Sequence, residues 1–434
     1  MNPITVGIIA FIILFILLAF RTPLGIAMFL IGAIGLWYLI SPAAAMVKVG
    51  LIPFEIMANW DLAVLPLFLL MAQIIFVSGL SDDLYDVAAK WLGRLRGGIA
   101  IATIGGCAVF AAVSASSLAT AVTMGLVAIP QMKRLKYEPS LSTGCIAAGG
   151  TIGQLIPPSA GLITYGIITQ TSIGKLFLAG MIPGILEALF YMATIYLMCL
   201  WKPSLGPRGP KYSFKERVAS FKSCWEMLGL IVVVLGGLVI GVFTPTEAGA
   251  VGAFGAVVFS MFRKRLNWTK FKNAVVETMK TTGMLYGILV GAFLFKYFLA
   301  VTTIPTRLAD YVGGLTLSPL VIIVLVMLVY VGLGCVMDAL AMILLTIPVF
   351  FPLAVGLGFD PIWFGIIIVR MTEIGLITPP IGMNVYAISG IAPEVPVTTI
   401  FKGIVPFLIA DILHVALLLF FPGVVMFLPN LITM

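Results

Sequence analysis

Gly149-Gly150-Thr151-Ile152-Gly153-Gln154-Leu155-Ile156-Pro157-Pro158-Ser159 interrupts a stretch of sequence that carries no charge. From Pro139 to Gly174 about 36 residues pass without Asp, Glu, Lys, Arg or His. One continuous helix of that length would run about 54 Å, against a hydrocarbon layer of about 30 Å. The Pro-Pro pair sits near its midpoint. Proline supplies no backbone donor, collides with the preceding turn and pushes the residue before it out of the helical region. Unpaired backbone cannot face lipid, so an unwound segment at that depth is buried in protein or lines a polar cavity. The spacing therefore predicts a broken transmembrane helix with a ligand site at the break.

The patch has a twin about 222 residues later, Thr372-Glu373-Ile374-Gly375-Leu376-Ile377-Thr378-Pro379-Pro380-Ile381-Gly382, with the same Gly-x-x-x-Pro-Pro spacing. One such motif is a weak signal, because Gly and Pro are common in membrane helices. The surroundings match as well. Phe20-Arg21-Thr22-Pro23 parallels Val242-Phe243-Thr244-Pro245, and Tyr137-Glu138-Pro139 parallels Phe359-Asp360-Pro361. Ile129-Pro130 parallels Ile347-Pro348, and Gly180-Met181-Ile182-Pro183 parallels Gly403-Ile404-Val405-Pro406. The offsets run from about 218 to 223, which implies a short insertion in the second copy between its Ile-Pro and its Asp-Pro. The pattern is an internal duplication over nearly the whole chain.

With 61% hydrophobic and 10% charged residues the chain is a polytopic helical membrane protein, and an ordinary soluble protein is excluded. Met1-Asn2-Pro3 lacks a basic leader, so the first apolar run reads as an uncleaved span. The net charge of +8 gathers in a few loops, which membrane orientation explains better than nucleic-acid binding. Cys107, Cys145, Cys199, Cys224 and Cys335 show no paired spacing, so neither a disulfide framework nor a metal site is expected. The single histidine, His414, reads as a packed ring in an apolar helix.

The predicted fold is all-α, an inverted-topology repeat with two re-entrant helical hairpins and two broken transmembrane helices. The first repeat spans 1–201. It holds scaffold helices over 4–80, with 41–60 as a mixed connector, and Thr22 as N-cap with Pro23 first in its helix. An amphipathic interfacial arm over 82–96 follows, with Leu84, Val87, Ala88, Trp91, Leu92 and Leu95 on one face. A hairpin over 97–133, a broken helix over 139–174 and a last span complete it. The hairpin is too long for one crossing and is flanked by Arg94, Arg96, Lys133, Arg134 and Lys136, so it enters and leaves by the cytoplasmic face. A basic linker over 202–222 leads to the second repeat over 223–434, with its hairpin at about 311–359 and broken helix at about 361–392. The second hairpin has few basic flanks and should open to the opposite side. N- and C-termini are then both external, and such repeats place substrate and ions at the midplane.

Two hairpin tips and two helix breaks should converge there. Ser114, Ser116, Ser117 and Thr120 offer hydroxyls, and Gly149, Gly150, Gly153, Gly332 and Gly334 permit unwound backbone with inward carbonyls. Such oxygens suit a hard cation, and free N-termini of half-helices suit an anionic substrate. Small residues also serve close helix packing, so Ser114 or Gly150 alone decides nothing. Asp338, which matches Thr120 at the 218 offset, is a carboxylate expected near the bilayer centre, where it costs about 2.5–3.5 kcal/mol. Arg370 and Glu373 stand at i,i+3 spacing, open to pairing with each other or to substrate contact. Glu187, Glu247 and Asp411 read as helix-end or interhelical partners.

At the paired Gly-x-x-x-Pro-Pro motifs, with a Ser-rich and a Gly/Asp-containing tip, the sequence resembles the large membrane subunit (DctM/SiaM type) of TRAP transporters, within the ion-transporter superfamily. The resemblance covers essentially the whole chain. It implies a Na⁺-coupled importer of an organic anion, a C4-dicarboxylate or sialic acid, in the bacterial inner membrane, working as an elevator. It implies two partners, a small membrane subunit of four helices and a periplasmic substrate-binding protein. The small subunit is not expected to be fused here, because the duplication begins almost at residue 1. It also implies sodium at Ser114, Ser117, Gly149, Gly150, Gly153 and Pro157, and again at Gly334, Asp338, Gly375 and Thr378. Substrate contacts are expected at Ser114, Ser116, Ser117, Pro158, Ser159, Asp338, Arg370 and Asn384. No cofactor beyond the coupling ion is implied. A stand-alone Na⁺- or H⁺-coupled carrier of the same superfamily is the alternative, with Asp338 or Glu373 as proton carriers. An intramembrane enzyme would need His/Glu metal motifs or Ser/His pairs that the sequence lacks.

Overall fold

The computed structural model describes residues 2–313 and 317–431. Residues 314–316 of the expected second hairpin, and the side chain of Asp82 in the arm, lie outside the described residues. The described chain is helical throughout, with no strand among the described residues. The first half holds α1 (Pro3–Ala19), α2 (Leu24–Leu39), α3 (Pro42–Met57), α4 (Val64–Ser78), α5 (Leu80–Leu92), α6 (Gly98–Ser114), α7 (Ser117–Arg134), α8 (Pro139–Thr151), α9 (Ala160–Thr169) and α10 (Ile173–Trp201). The second half holds α11 (Phe214–Ile240), α12 (Pro245–Phe262), α13 (Trp268–Thr302), α14 (Ile304–Gly313), α15 (Pro319–Gly334), α16 (Ala339–Gly356), α17 (Pro361–Ile377), α18 (Met383–Ile391), α19 (Val397–Phe420) and α20 (Gly423–Leu431). Among the described residues, seven helical segments are long and apolar enough to cross a bilayer.

A polar residue followed by proline opens many of these helices. Asn2-Pro3, Ser41-Pro42, Thr244-Pro245 and Asp360-Pro361 each put a side-chain oxygen on a first-turn N–H and a proline where no donor is needed. Thr22-Pro23 departs from the expectation. The helix starts at Leu24, Pro23 stands at the cap, and Thr22 makes no cap bond. Its twin Thr244 closes a capping box with Glu247, whose Oε2 accepts from the Thr244 N–H at 2.8 Å. The first copy has Gly25 where that Glu stands, and it needs it. A Cβ on Gly25 would meet the Gly287 carbonyl oxygen at 2.8 Å, so the backbones of α2 and α13 touch there.

The connector expected over 41–60 is the helix α3, opened by Ser41 and Pro42. Asn59 then caps a separate short turn through the Asp61 N–H at 2.9 Å, dividing α3 from α4. At the matching place the second copy runs without interruption as α13. Arm α5 ends at Leu92, short of the expected Arg96. It is packed on α6 and α11, with Tyr85 buried and the Trp91 ring nitrogen donating to the Arg217 carbonyl at 3.1 Å.

The two halves interlock reciprocally. Helix α2 packs along α13 and α12 along α4; α8 packs along α19 and α17 along α10; α7 meets α18 and α16 meets α9. The close approaches again rest on glycine: a Cβ on Gly403 of α19 would lie 1.9 Å from the Ser140 carbonyl oxygen of α8. The linker is pinned to the open end of the first hairpin. Gly97 N–H donates to Gly206 O at 3.0 Å, Glu138 N–H to Leu205 O at 3.0 Å, and Gly209 N–H to Gly93 O at 2.9 Å. Linker 202–222 is therefore shorter than expected, because Ser213 and Glu216 form a capping box that starts α11 at Phe214.

Candidate functional site

Helix α6 ends at Ser114, Ala115 takes a left-handed backbone with φ 52°, and Ser116 caps α7. This is the first tip. Ser114 Oγ lies 2.7 Å from Thr120 Oγ1, and Thr120 Oγ1 donates to the Ser116 carbonyl at 2.8 Å. The first break follows a short 3₁₀ turn at Ile152–Gln154, and α9 resumes at Ala160. Residues 155–159, Pro157, Pro158 and Ser159 among them, are all buried. Tip and break touch: Ala160 N–H donates to the Ala115 carbonyl at 3.4 Å, and a Cβ on Gly153 would meet Thr120 Oγ1 at 2.7 Å. Gln154, which sequence reasoning passed over, accepts from Gly161 N–H at 2.9 Å and from the Ser159 hydroxyl at 3.2 Å. Ser159 Oγ accepts from Leu162 N–H at 3.1 Å. The first-turn donors of α9 are thus satisfied within the protein, so the expected free N-terminus for an anion is not found at this break.

Between the first tip and the outer helices lies a cavity of about 370 Å³, with Ser114 and Ser116 on one side and Gln73, Thr278 and Thr281 on the other. Its polar groups are hydroxyls and an amide, with no charged side chain in the lining.

The second tip and break lie against each other and open outward. Gly334 and Gly375 meet backbone to backbone, a Cβ on Gly334 falling 2.4 Å from the Gly375 Cα. Cys335 Sγ donates to the Pro379 carbonyl at 3.2 Å, while Pro379, Pro380 and Ile381 are exposed. Thr378 spends its hydroxyl on Ile374 O at 2.7 Å. Asp338 is exposed and caps α16, Oδ1 accepting from Leu340 and Ala341 N–H at 3.0 Å each. Peptide bonds Pro157-Pro158 and Pro379-Pro380 are cis.

Four expectations change. Asp338 corresponds to Ser116, not Thr120, because each is the N-cap of its second hairpin arm. Arms α7 and α16 are both 18 residues long, so no insertion separates the copies there, and Pro352 rather than Pro348 is the counterpart of Pro130. Gly149, Gly150, Gly332 and Gly334 are helical rather than unwound. Gly149 and Gly150 admit Cys107 and Ala121 in place of a side chain, with added Cβ atoms 2.9 and 2.6 Å from them. Finally, the four features meet unequally: each tip packs on its own break, and the first tip also reaches the second broken helix through Ser117 and Glu373, while the outer part of the second break is exposed.

Arg370 does not pair with Glu373. Fully enclosed, it donates from Nη1 to Glu187 Oε1 at 2.7 Å and from Nη2 to Asp411 Oδ1. Tyr191 donates to Asp411 at 2.6 Å and Thr151 to Glu187 at 2.7 Å. This network joins α8, α10, α17 and α19, so Arg370 is committed to two interhelical carboxylates and is not placed to reach substrate. Glu187 and Asp411 are interhelical partners and Glu247 a helix-end one, as the sequence suggests. Glu373 instead faces the other copy, its Oε1 accepting from Ser117 Oγ at 3.3 Å. Asn384 donates to the Ala147 carbonyl at 3.4 Å. His414 packs against Phe190 with ring centroids 5.7 Å apart.

A duplicated all-helical body, apolar enough to cross a bilayer and broken at matched polar points, defines a membrane transport protein rather than an enzyme. Comparison with known proteins narrows this. Residues 11–424 match the family model for the tripartite ATP-independent periplasmic transporter, DctM component, and the chain belongs to that family. It is 38% identical over 379 residues to the C4-dicarboxylate TRAP transporter large permease protein DctM of Pseudomonas aeruginosa, covering 87% of this chain and 88% of that one. It is 33% identical over 374 residues to the sialic acid TRAP transporter large permease protein SiaM of Vibrio cholerae, covering 86% and 87%. Among solved structures, the YdaH transporter of Alcanivorax borkumensis shares the fold at a TM-score of 0.60 and 16% identity, over 85% of this chain and 87% of that one.

Proposed function

We propose that this chain is the large membrane subunit of a sodium-coupled importer of an organic anion, a C4-dicarboxylate or a sugar acid such as sialic acid. In this reading a periplasmic binding protein delivers the substrate, and a small membrane subunit completes the complex in the bacterial inner membrane. The observation that carries it is the first tip packed on the first break beside an uncharged, largely apolar cavity of about 370 Å³ into which Ser114, Ser116, Gln73, Thr278 and Thr281 bring polar groups. A cavity without a fixed counter-charge suits an anion that arrives with its own cation, because a buried lone charge of either sign is costly. Ser114, Ser116 and Ser117 would contact substrate from the tip, with Pro158 and Ser159 supporting it from the break. Sodium would be held by carbonyl and hydroxyl oxygens around Ser114, Ser117, Gly149, Gly150, Gly153 and Pro157. A second ion would lie between the second tip and break, around Gly334, Asp338, Gly375 and Thr378. The hairpins and broken helices would carry substrate as one body past an outer scaffold, with both termini periplasmic. The reciprocal contacts of the two halves support this reading, since inverted repeats that rock or slide around a central site have that symmetry.

Uptake of labelled organic acids into proteoliposomes holding both membrane subunits and the binding protein tests it. Accumulation should require an inward sodium gradient and the binding protein. Accumulation that is indifferent to sodium, or undiminished without the binding protein, would point instead to a stand-alone carrier.

A further inference from the structure

Buried carboxylates are few in this chain, and one of them stands apart. Among the described residues the buried acids are Glu187, Glu226, Glu373 and Asp411. Glu187 and Asp411 share Arg370, and Glu226 holds Arg263. Glu373 alone has no basic side chain within ion-pair distance among the described residues. It is fully enclosed, accepts one long bond from Ser117 on Oε1, and accepts none on Oε2. The nearby start of α7 offers at most about half a unit of positive charge, too little to neutralise a carboxylate.

A second buried oxygen is unclaimed close by. Asn384 is fully enclosed on α18, spends its amide N–H on Ala147, and leaves Oδ1 without a donor. Ser117 links the two. Its hydroxyl faces Glu373, while its carbonyl and the Asn384 amide both lie over Gly150, 2.9 and 3.2 Å from where a Cβ would stand. A side chain at 150 would fill that space. The donors are a carboxylate, an amide carbonyl and serine oxygens, a hard set. No group of three or more His, Cys, Asp or Glu that could hold a transition metal occurs among the described residues.

We infer that Glu373 and Asn384 of the second copy, with Ser117 of the first, form an anionic sodium site on the seam between the copies. The site rests on the sodium-coupled reading and adds to it. The serine tip of one copy receives a buried carboxyl group from the other, so occupancy fastens the first tip to the second broken helix.

Thermal unfolding of the purified protein in detergent, titrated with NaCl against choline chloride at constant ionic strength, tests the assignment. Wild type should be stabilised by sodium in a saturable way. Glu373→Gln, which keeps the shape and removes the uncompensated charge, should be at least as stable as wild type in choline. It should need at least tenfold more sodium for half its stabilisation. Asn384→Ala should shift the midpoint in the same direction, and it carries the test if Glu373→Gln does not accumulate. An unchanged sodium midpoint in these variants overturns the site and leaves sodium coupling standing. So does a Glu373→Gln protein that is less stable than wild type in choline, because Glu373 would then be a structural partner of Ser117. A wild type without any sodium response, and with uptake indifferent to sodium, overturns the reading on which the site rests.

Discussion

Arg370 shows what one buried charge demands of its neighbours. Both guanidinium ends are occupied by carboxylates from different helices, and all three side chains are sealed from solvent. Replacing Arg370 by Met strands Glu187 and Asp411, and breaking such a buried pair costs about 3–5 kcal/mol. The single variant should therefore unfold at a much lower temperature. The triple variant Arg370→Met, Glu187→Gln, Asp411→Asn should recover much of that loss, read by thermal unfolding in detergent. Asp338 asks a different question, since capping and charge can be separated there. Asp338→Ala should destabilise α16 by about 1 kcal/mol, while Asp338→Asn keeps the cap. If Asp338 serves the coupling ion, the Asn variant will lose sodium-driven uptake at unchanged thermal stability; full uptake would leave it a cap alone. Sequence showed these residues as charges out of place in apolar helices, which is why they drew notice. It could not show their partners. Arg370 lies three residues from Glu373 and far along the chain from Glu187, yet helix rotation turns it to the distant one.

At the scale of helices, glycine divides into positions that bear a crossing and positions that do not. Gly403 meets the Ser140 carbonyl, so Gly403→Val must push α19 off α8, and little folded protein should be recovered by size-exclusion chromatography. Gly283 has nothing within 4 Å of an added Cβ and lies inside α13, so Gly283→Ala should fold normally and gain about 0.4–1 kcal/mol. Composition alone makes the two substitutions look equally mild. A helix boundary is legible at Thr244-Pro245, where a cap residue precedes proline, and at Pro157-Pro158, where a charge-free run exceeds the bilayer, whereas at Thr22-Pro23 the same cue misplaces the cap by one residue. Boundaries were illegible where the cue was local and polar. Lys48, Gly50, Pro53 and Glu55 made α3 read as a connector, although Ser41-Pro42 opens it like any other helix. The break glycines misled for a related reason: Gly149 and Gly150 serve close approach inside α8, and the chain departs from the helix only beyond Gln154.

The two halves of the whole molecule were visible in the sequence because prolines at matched spacing punctuate both. Residues near 97 and 359, at the open ends of the two hairpins, should label from opposite sides of the membrane with an impermeant thiol reagent on single-cysteine variants at the exposed positions Leu95 and Val355. Reaction from the same side would end the inverted arrangement. What the sequence hid was that the first break is enclosed and the second is open, since equivalent motifs lie in unequal surroundings once the copies interlock. The linker hid a mechanical fact as well. With Leu205, Gly206 and Gly209 fastened beneath the first hairpin and Ser213 held in the cap of α11, only Pro210, Lys211 and Tyr212 remain as free rope. Fully stretched, the tether from Gly209 to Ser213 reaches about 14 Å. Any stroke that shifts the hairpin further than this relative to α11 has first to unfasten the tether.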